Sequence, residues 1–285
     1  MRKSSVPTPL FNGSNPLKPA PTGPSIEILS VTPGLAKEWL RTNSHNRRLR
    51  KNDIFNYARD MAAGKWLMNG ESIKFSATNQ LLDGQHRLHA VVQSGVTVPM
   101  LVITGLPPET QATMDSGIKR TTADAFSLDG KSNAPALAAI LKRIWLWDQG
   151  DYKFSANYKP TTAECAELLE QRPEIYRSVE IAVRIHQTFK YIPQSATGTA
   201  HHLFSRIAAD EAVWFFARVG DGADLVAGHP VLTLRNRILS ERDDRRSIKD
   251  WRYMAYLVRT WNAVRTGRSL SKIQQAPDAP MPMPK

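Results

Sequence analysis

Asp83-Gly84-Gln85-His86-Arg87 places an acid, a flexible backbone turn, an imidazole and a guanidinium within five residues. Gln80-Leu81-Leu82 before it reads as a strand, and Leu88, Val91 and Val92 after it share one helical face. A glycine turn from strand into helix aims backbone N–H groups and the positive end of the helix dipole at one point, which suits an anion. The arginine fork can grip phosphate oxygens, so the chemistry on offer is phosphate handling. Gly84 reads as close approach of backbone to a phosphate or as a plain turn glycine. His86 and Arg87, in the first helical turn, donate to phosphate oxygens as charge develops, or serve as a capping histidine and a surface ion pair. Asp83 can coordinate Mg²⁺, accept a proton, orient His86 or simply cap the helix. Gln85 orients a water or a ribose, or faces solvent. The candidate catalytic residues are thus Asp83, His86 and Arg87, the candidate nucleotide ligands Gly84, Gln85, His86 and Arg87, and the candidate metal ligand Asp83.

Two further clusters can supply cations to such a site. Asn46, Arg47 and Arg48 lie in a basic loop and contact phosphate or base if they face the site. Asp115-Ser116-Gly117-Ile118-Lys119-Arg120 combines short polar residues, a glycine and two cations, and Ser116, Gly117, Lys119 and Arg120 could cradle an anion. Thr121 with Asp124 equally reads as a capping box for the next helix. Glu71 reads as a general base or as a surface carboxylate. His89 reads as structural, because no third metal ligand stands near it in the chain.

Positioning these residues takes a scaffold. Ile26-Glu27-Ile28-Leu29, Ser72-Ile73-Lys74-Phe75, Leu81-Leu82 and Val98 to Ile103 read as strands. Thr32-Pro33 starts a helix, and Ile54, Tyr57, Ala58 and Met61 mark a second one that Gly64 ends. The centre reads as a β–loop–α–β unit with a right-handed crossover. After Gly105 helical patterns dominate to about residue 273. The expected organisation is an α+β N-terminal domain over residues 26–125 and an all-helical, DNA-facing domain over 126–273, with disordered tails at 1–25 and 274–285.

The chain has 285 residues and a net charge of +12, which favours polyanionic partners, above all DNA. Residues 235–268 hold nine Arg and one Lys against four acids; their arginines read as a phosphate footprint, while Trp251, Met254, Leu257, Val258 and Trp261 fit a helix core. Cys165 is the only cysteine, which excludes an intramolecular disulfide and fits a reducing compartment. No apolar run approaches the roughly 18 residues of a membrane span. The expectation is a cytoplasmic protein with no membrane contact and a possible homodimer.

With these residues in view, residues 26–125 resemble the ParB/sulfiredoxin superfamily, and most of all its DGQHR-type branch in bacteria and phages. Asn46-Arg47-Arg48, the helix to Gly64, Ile73-Lys74-Phe75 and Asp83-Gly84-Gln85-His86-Arg87 carry the resemblance; Trp261-Asn262-Ala263 extends it. It implies a ParB-like fold with a nucleotide in the loop before the helix. ParB partition proteins bind CTP there, and ADP-dependent serine kinases carry an Asp-Gly-His-His-Arg loop that residues 83–87 match at four of five positions. Sulfiredoxin places its catalytic cysteine where this chain has Gln85, so sulfinic-acid reduction is not expected. The implied cofactors are a nucleoside di- or triphosphate (ATP, ADP or CTP) and Mg²⁺. The implied function is phosphate-bond hydrolysis or phosphoryl transfer at DNA. The alternatives are a DNA-binding regulator or partition-type clamp without significant catalysis, a nuclease, and a small-molecule or modified-base kinase.

Overall fold

The computed structural model describes residues 23–43, 46, 48–114, 120–156, 158–243 and 248–285. It is a mixed α+β protein that divides into two units, Met1–Ile118 and Lys119–Lys285. In the first unit β1 (Ser25–Val31), β2 (Ser72–Ser76), β3 (Leu81–Asp83) and β4 (Val98–Leu106) form one sheet in the order β1-β4-β2-β3. β1 runs antiparallel to β4, β2 parallel to β4, and β3 antiparallel to β2. The expected β–loop–α–β unit needs correction here. β3 and β4 are not neighbours, and the parallel partner of β4 is β2. The cause is local: Asn79 adopts φ 62°, a turn conformation that asparagine tolerates, and folds β3 back on β2 before the chain crosses over.

Three helices complete the unit. α1 (Pro33–Leu40) starts where Thr32 Oγ1 accepts from Leu35 N–H at 3.1 Å, as the Thr-Pro pair predicts. α2 (Lys51–Ala62) buries Ile54, Ala58 and Met61, and Gly64 follows it at φ 68°. α3 (Gln85–Ser94) buries Leu88, Ala90 and Val91. Those side chains meet Val31, Ile73, Phe75, Leu81, Met100 and Val102 from the sheet in one apolar core, with Trp39 edge-on to Phe75 at 5.2 Å. The core therefore clamps β2, β3 and α3 together, and the 83–87 loop is the seam between them.

The second unit is built from helices among its described residues. α4 (Thr122–Leu128) belongs to it, whereas the sequence boundary at 125 cuts through that helix; Phe126 is buried among Leu137, Ile140 and Leu141 of α5 (Ala134–Asp148). α6 (Thr162–Gln171) carries the Thr161/Glu164 capping box expected of it. α7 (Ile175–Thr188), α8 (Gln194–Ser205), α9 (Ala209–Asp221), α10 (Pro230–Asp243) and α11 (Asp250–Arg265) pack around Phe204, Phe215, Phe216 and Trp261. Trp261 stacks on Phe204 at 4.6 Å. Trp251, Met254, Leu257, Val258 and Trp261 are core residues of α11, as their spacing predicts.

The C-terminal segment read as a disordered tail is a second correction. Ile273 and Gln275 are buried, Asn262 Nδ2 donates to the Met283 carbonyl at 2.9 Å, and Trp261 Nε1 donates to the Lys285 main-chain oxygen at 3.0 Å. Its composition lacks a hydrophobic period because side chains of the helices, and not a helix or strand of its own, hold it. No helix among the described residues is long and apolar enough to cross a membrane.

Candidate functional site

The 83–87 loop sits where β3 passes into α3. Gly84 caps α3 at φ 104°, a left-handed conformation, and offers no side-chain cap to the first turn. A Cβ here would lie 2.5 Å from Ile73 Cδ1 and 3.2 Å from Ile73 Cα, so the glycine is required by close approach to β2. Asp83 is not the N-cap. Its Oδ1 accepts from the Gly84 N–H at 2.6 Å; its Oδ2 accepts from Lys74 Nζ at 2.9 Å and from Arg87 Nη2 at 3.2 Å. Burial alone would raise the Asp83 carboxyl. The Lys74 hydrogen bond, the charges of Arg87 and Lys74 and the Gly84 N–H outweigh it and hold the group below the ordinary carboxylate range.

Arg87 is spent within the fold. Its Nη2 also donates to the Ser72 carbonyl at 2.7 Å, and its Nη1 pairs with Glu71 at 3.0 Å. Glu71, weighed as a general base, is this ion-pair partner, with 59% of its side chain exposed. His86 is buried, and its Nε2 accepts the Arg50 N–H at 2.9 Å, which assigns the ring proton to Nδ1. Gln85 does not face solvent: it is buried, and its Oε1 accepts from Asn43 Nδ2 at 3.1 Å. His89 is half-buried, and burial lowers its pKa.

Asn46 is brought to the loop. Its Nδ2 donates to Asn43 Oδ1 and to the Leu81 carbonyl, both at 2.7 Å, and Gln111 Nε2 reaches the Leu82 carbonyl at 3.0 Å from a 3₁₀ turn over Pro108–Thr113. Amide side chains thus tie the segment before α2, β3 and that turn together. Arg48 and Arg120 are exposed. Thr121 and Asp124 form the capping box of α4, as one of the two readings of that stretch has it. Arg47, Ser116, Gly117 and Lys119 lie outside the described residues.

Sequence reasoning missed Lys74, Asn43 and Gln111. Lys74 had a usable signal, since a hairpin turning at Thr78-Asn79 sets it directly opposite Asp83, and opposite charges there stabilise a strand pair. Asn43 and Gln111 are joined to the loop only by tertiary packing, and no local pattern marks them.

A protein-held Mg²⁺ does not fit this loop. Two cations already occupy one oxygen of Asp83, and no group of three His, Cys, Asp or Glu that could hold a metal stands among the described residues. Lys74 and Arg87 converge on a single carboxylate oxygen of Asp83. Cys165 takes no part in such chemistry, since burial pushes its thiol up to about 12.

Replacing Arg87 by Met is expected to destabilise the first unit by about 3 kcal/mol, because it leaves a largely buried Asp83 carboxylate with one cation. Glu71→Gln, which removes only an exposed partner, should cost under about 1 kcal/mol. Urea denaturation of the two variants checks the ordering; equal losses would place Arg87 on the surface.

Four of the arginines of residues 235–268 are also engaged within the fold. Arg235 donates to the Gly220 carbonyl at 3.0 Å and lies 4.3 Å from the Phe189 ring centroid. Arg237 pairs with Glu241, Arg259 donates to Gln275 Oε1 at 2.8 Å, and Arg265 pairs with Glu211 at 2.8 Å. Arg245 and Arg246 lie outside the described residues. The expected phosphate footprint is therefore, for these four arginines, a set of internal ties. No family model, curated protein or solved structure matches the chain.

Proposed function

We propose that the chain is a DNA-associated regulator or partition-type clamp whose 83–87 loop binds the phosphates of a nucleoside di- or triphosphate as a switch, without significant catalysis. One observation carries this reading. Asp83, Gln85, His86 and Arg87 are each engaged in bonds that join β2, β3, α3 and the segment before α2. Groups so committed make a joint that a ligand can rearrange. They do not present a base or nucleophile to a substrate. A phosphate would exchange with the Asp83 carboxylate for Lys74 and Arg87 at the uncapped start of α3, and the seam would shift with it. The net charge of +12 supports DNA as the polyanion on which the switch acts.

Calorimetry with ATP, ADP, CTP and GTP tests this. Wild type should bind at least one of them, and Lys74→Gln should weaken binding about tenfold through loss of a charge-assisted hydrogen bond. Phosphate release should stay at background, while nucleotide changes the salt-dependent affinity for duplex DNA. No heat from any nucleotide near millimolar concentration would remove the reading, and sustained phosphate release would restore the catalytic one.

A further inference from the structure

Residues 276–285 are recognised through their backbone. Lys153 Nζ donates to the Pro277 carbonyl at 2.9 Å. Asn262 spans two residues, donating from Nδ2 to the Met283 carbonyl and accepting the Lys285 N–H at Oδ1, each at 2.9 Å. Trp261 Nε1 donates to the Lys285 main-chain oxygen at 3.0 Å, and the indole is held rigid by its stack on Phe204. The segment starts from an anchor. Gln275 accepts from Arg259 Nε at 2.8 Å, and its Nε2 donates to the Ala279 and Pro280 carbonyls, each at 3.2 Å.

We propose that Trp261 and Asn262 form a docking surface for an extended, proline-containing peptide, and that residues 280–285 fill it in cis as a detachable strap, entered through a turn over residues 276–279 that Gln275 and Lys153 hold. Three features point there. Trp261 and Asn262 read two carbonyls and one N–H, as a peptide-binding surface does for an extended ligand. Pro280, Pro282 and Pro284 keep residues 280–285 extended and reduce the entropy lost on docking. The strap belongs to no helix or sheet, so it can leave without breaking a ladder. Ile273 and Gln275, both buried, belong to the fixed chain that precedes the strap. When the strap opens, Asn262 and the indole N–H of Trp261 become available to a second extended chain.

The test uses a full-length chain in which residues 277–285 are replaced by an equal length of Gly-Ser repeat, titrated with a labelled peptide of residues 276–285. The altered chain should bind the peptide, and Asn262→Ala within it should weaken binding tenfold or more. Wild type should bind at least tenfold more weakly, because its own strap competes at an effective concentration on the order of millimolar. An altered chain that keeps native hydrogen-exchange protection in α11 but ignores the peptide overturns the proposal, as does indifference to Asn262→Ala. If the altered chain fails to fold, wild-type hydrogen exchange decides. Exchange at residues 278–285 well ahead of α11 supports a detachable strap, and exchange only together with α11 overturns it.

Discussion

Gly84→Ala should destabilise the first unit by about 3 kcal/mol, the sum of a left-handed backbone penalty and overpacking against β2. Both parts have a structural source. The backbone at residue 84 has φ 104°, where a side chain is strained whatever the space around it. The added methyl would stand 2.5 Å from Ile73 Cδ1, which a rotamer change could relieve, but also 3.2 Å from Ile73 Cα, which only a shift of β2 could relieve. Ile73 is fully buried in the core, so β2 has little freedom to move. Shortening the neighbour separates the two parts: in an Ile73→Ala background, Gly84→Ala should cost less, with the backbone penalty remaining. Urea denaturation of the four chains, with hydrogen exchange in α3 to localise the effect, gives the cycle. A cost of Gly84→Ala below about 0.5 kcal/mol in the wild-type background, the range of an ordinary surface change, would mean that the glycine does not serve strand–helix packing.

That result bears on how much of the site the sequence reveals. Periodicity exposed the strands and helices of the first unit, since Ile54, Ala58 and Met61, or Leu88 and Val91, repeat at helical spacing wherever the fold places them. It also placed the 83–87 loop at a strand-to-helix junction. The partners of that loop are a different matter. Gly84 meets Ile73, Arg87 meets the Ser72 carbonyl and His86 meets the Arg50 N–H because of sheet order and the path of the segment before α2. Those are non-local facts, and a residue with two local readings cannot choose between them without its neighbours. The arginines of α10 and α11 show the same limit. Charge is visible in a sequence, but whether a guanidinium faces a nucleic acid or Glu211 and Glu241 is decided by packing. The strap is the extreme case, because proline-rich composition suggests a free tail while Asn262 and Trp261, far along the chain, hold its backbone.

Acid should unfold the second unit early, and two histidines of α8 set where. His201 and His202 are buried, and burial is the main cause that lowers each to about 4 from the ordinary 6.5. Around His201, the charges of Arg177 and Arg184 and the adjacent His202 act in the same direction; around His202, Arg172 and Arg206 lower it while Glu174 and Asp148 oppose them. Hydrogen bonding gives the rings little help. His201 Nδ1 lies 2.9 Å from Ser178 Oγ, but its Nε2 and both nitrogens of His202 are buried without a partner. Both rings are neutral in the fold above pH 6.5, so their protonation costs the fold nothing there. Below 6.5 the unfolded chain takes up protons that the folded chain refuses, so stability falls as pH falls, until the rings protonate in the fold near pH 4. Each ring can account for about 3 kcal/mol over that window, and the two are coupled because they are adjacent. Asp83 does not blur the result: its depressed carboxyl stabilises the first unit above the ordinary carboxylate pKa of 3.8 and loses that contribution only below it. The urea midpoint of the second unit should therefore drop between pH 6.5 and 4.5, and His202→Leu should flatten the drop. The same variant should hold or raise stability at pH 7, since it removes two buried nitrogens that have no partner. A midpoint that stays level from pH 7 to 4.5, or a slope that His202→Leu leaves unchanged, would show that these rings are hydrated in solution.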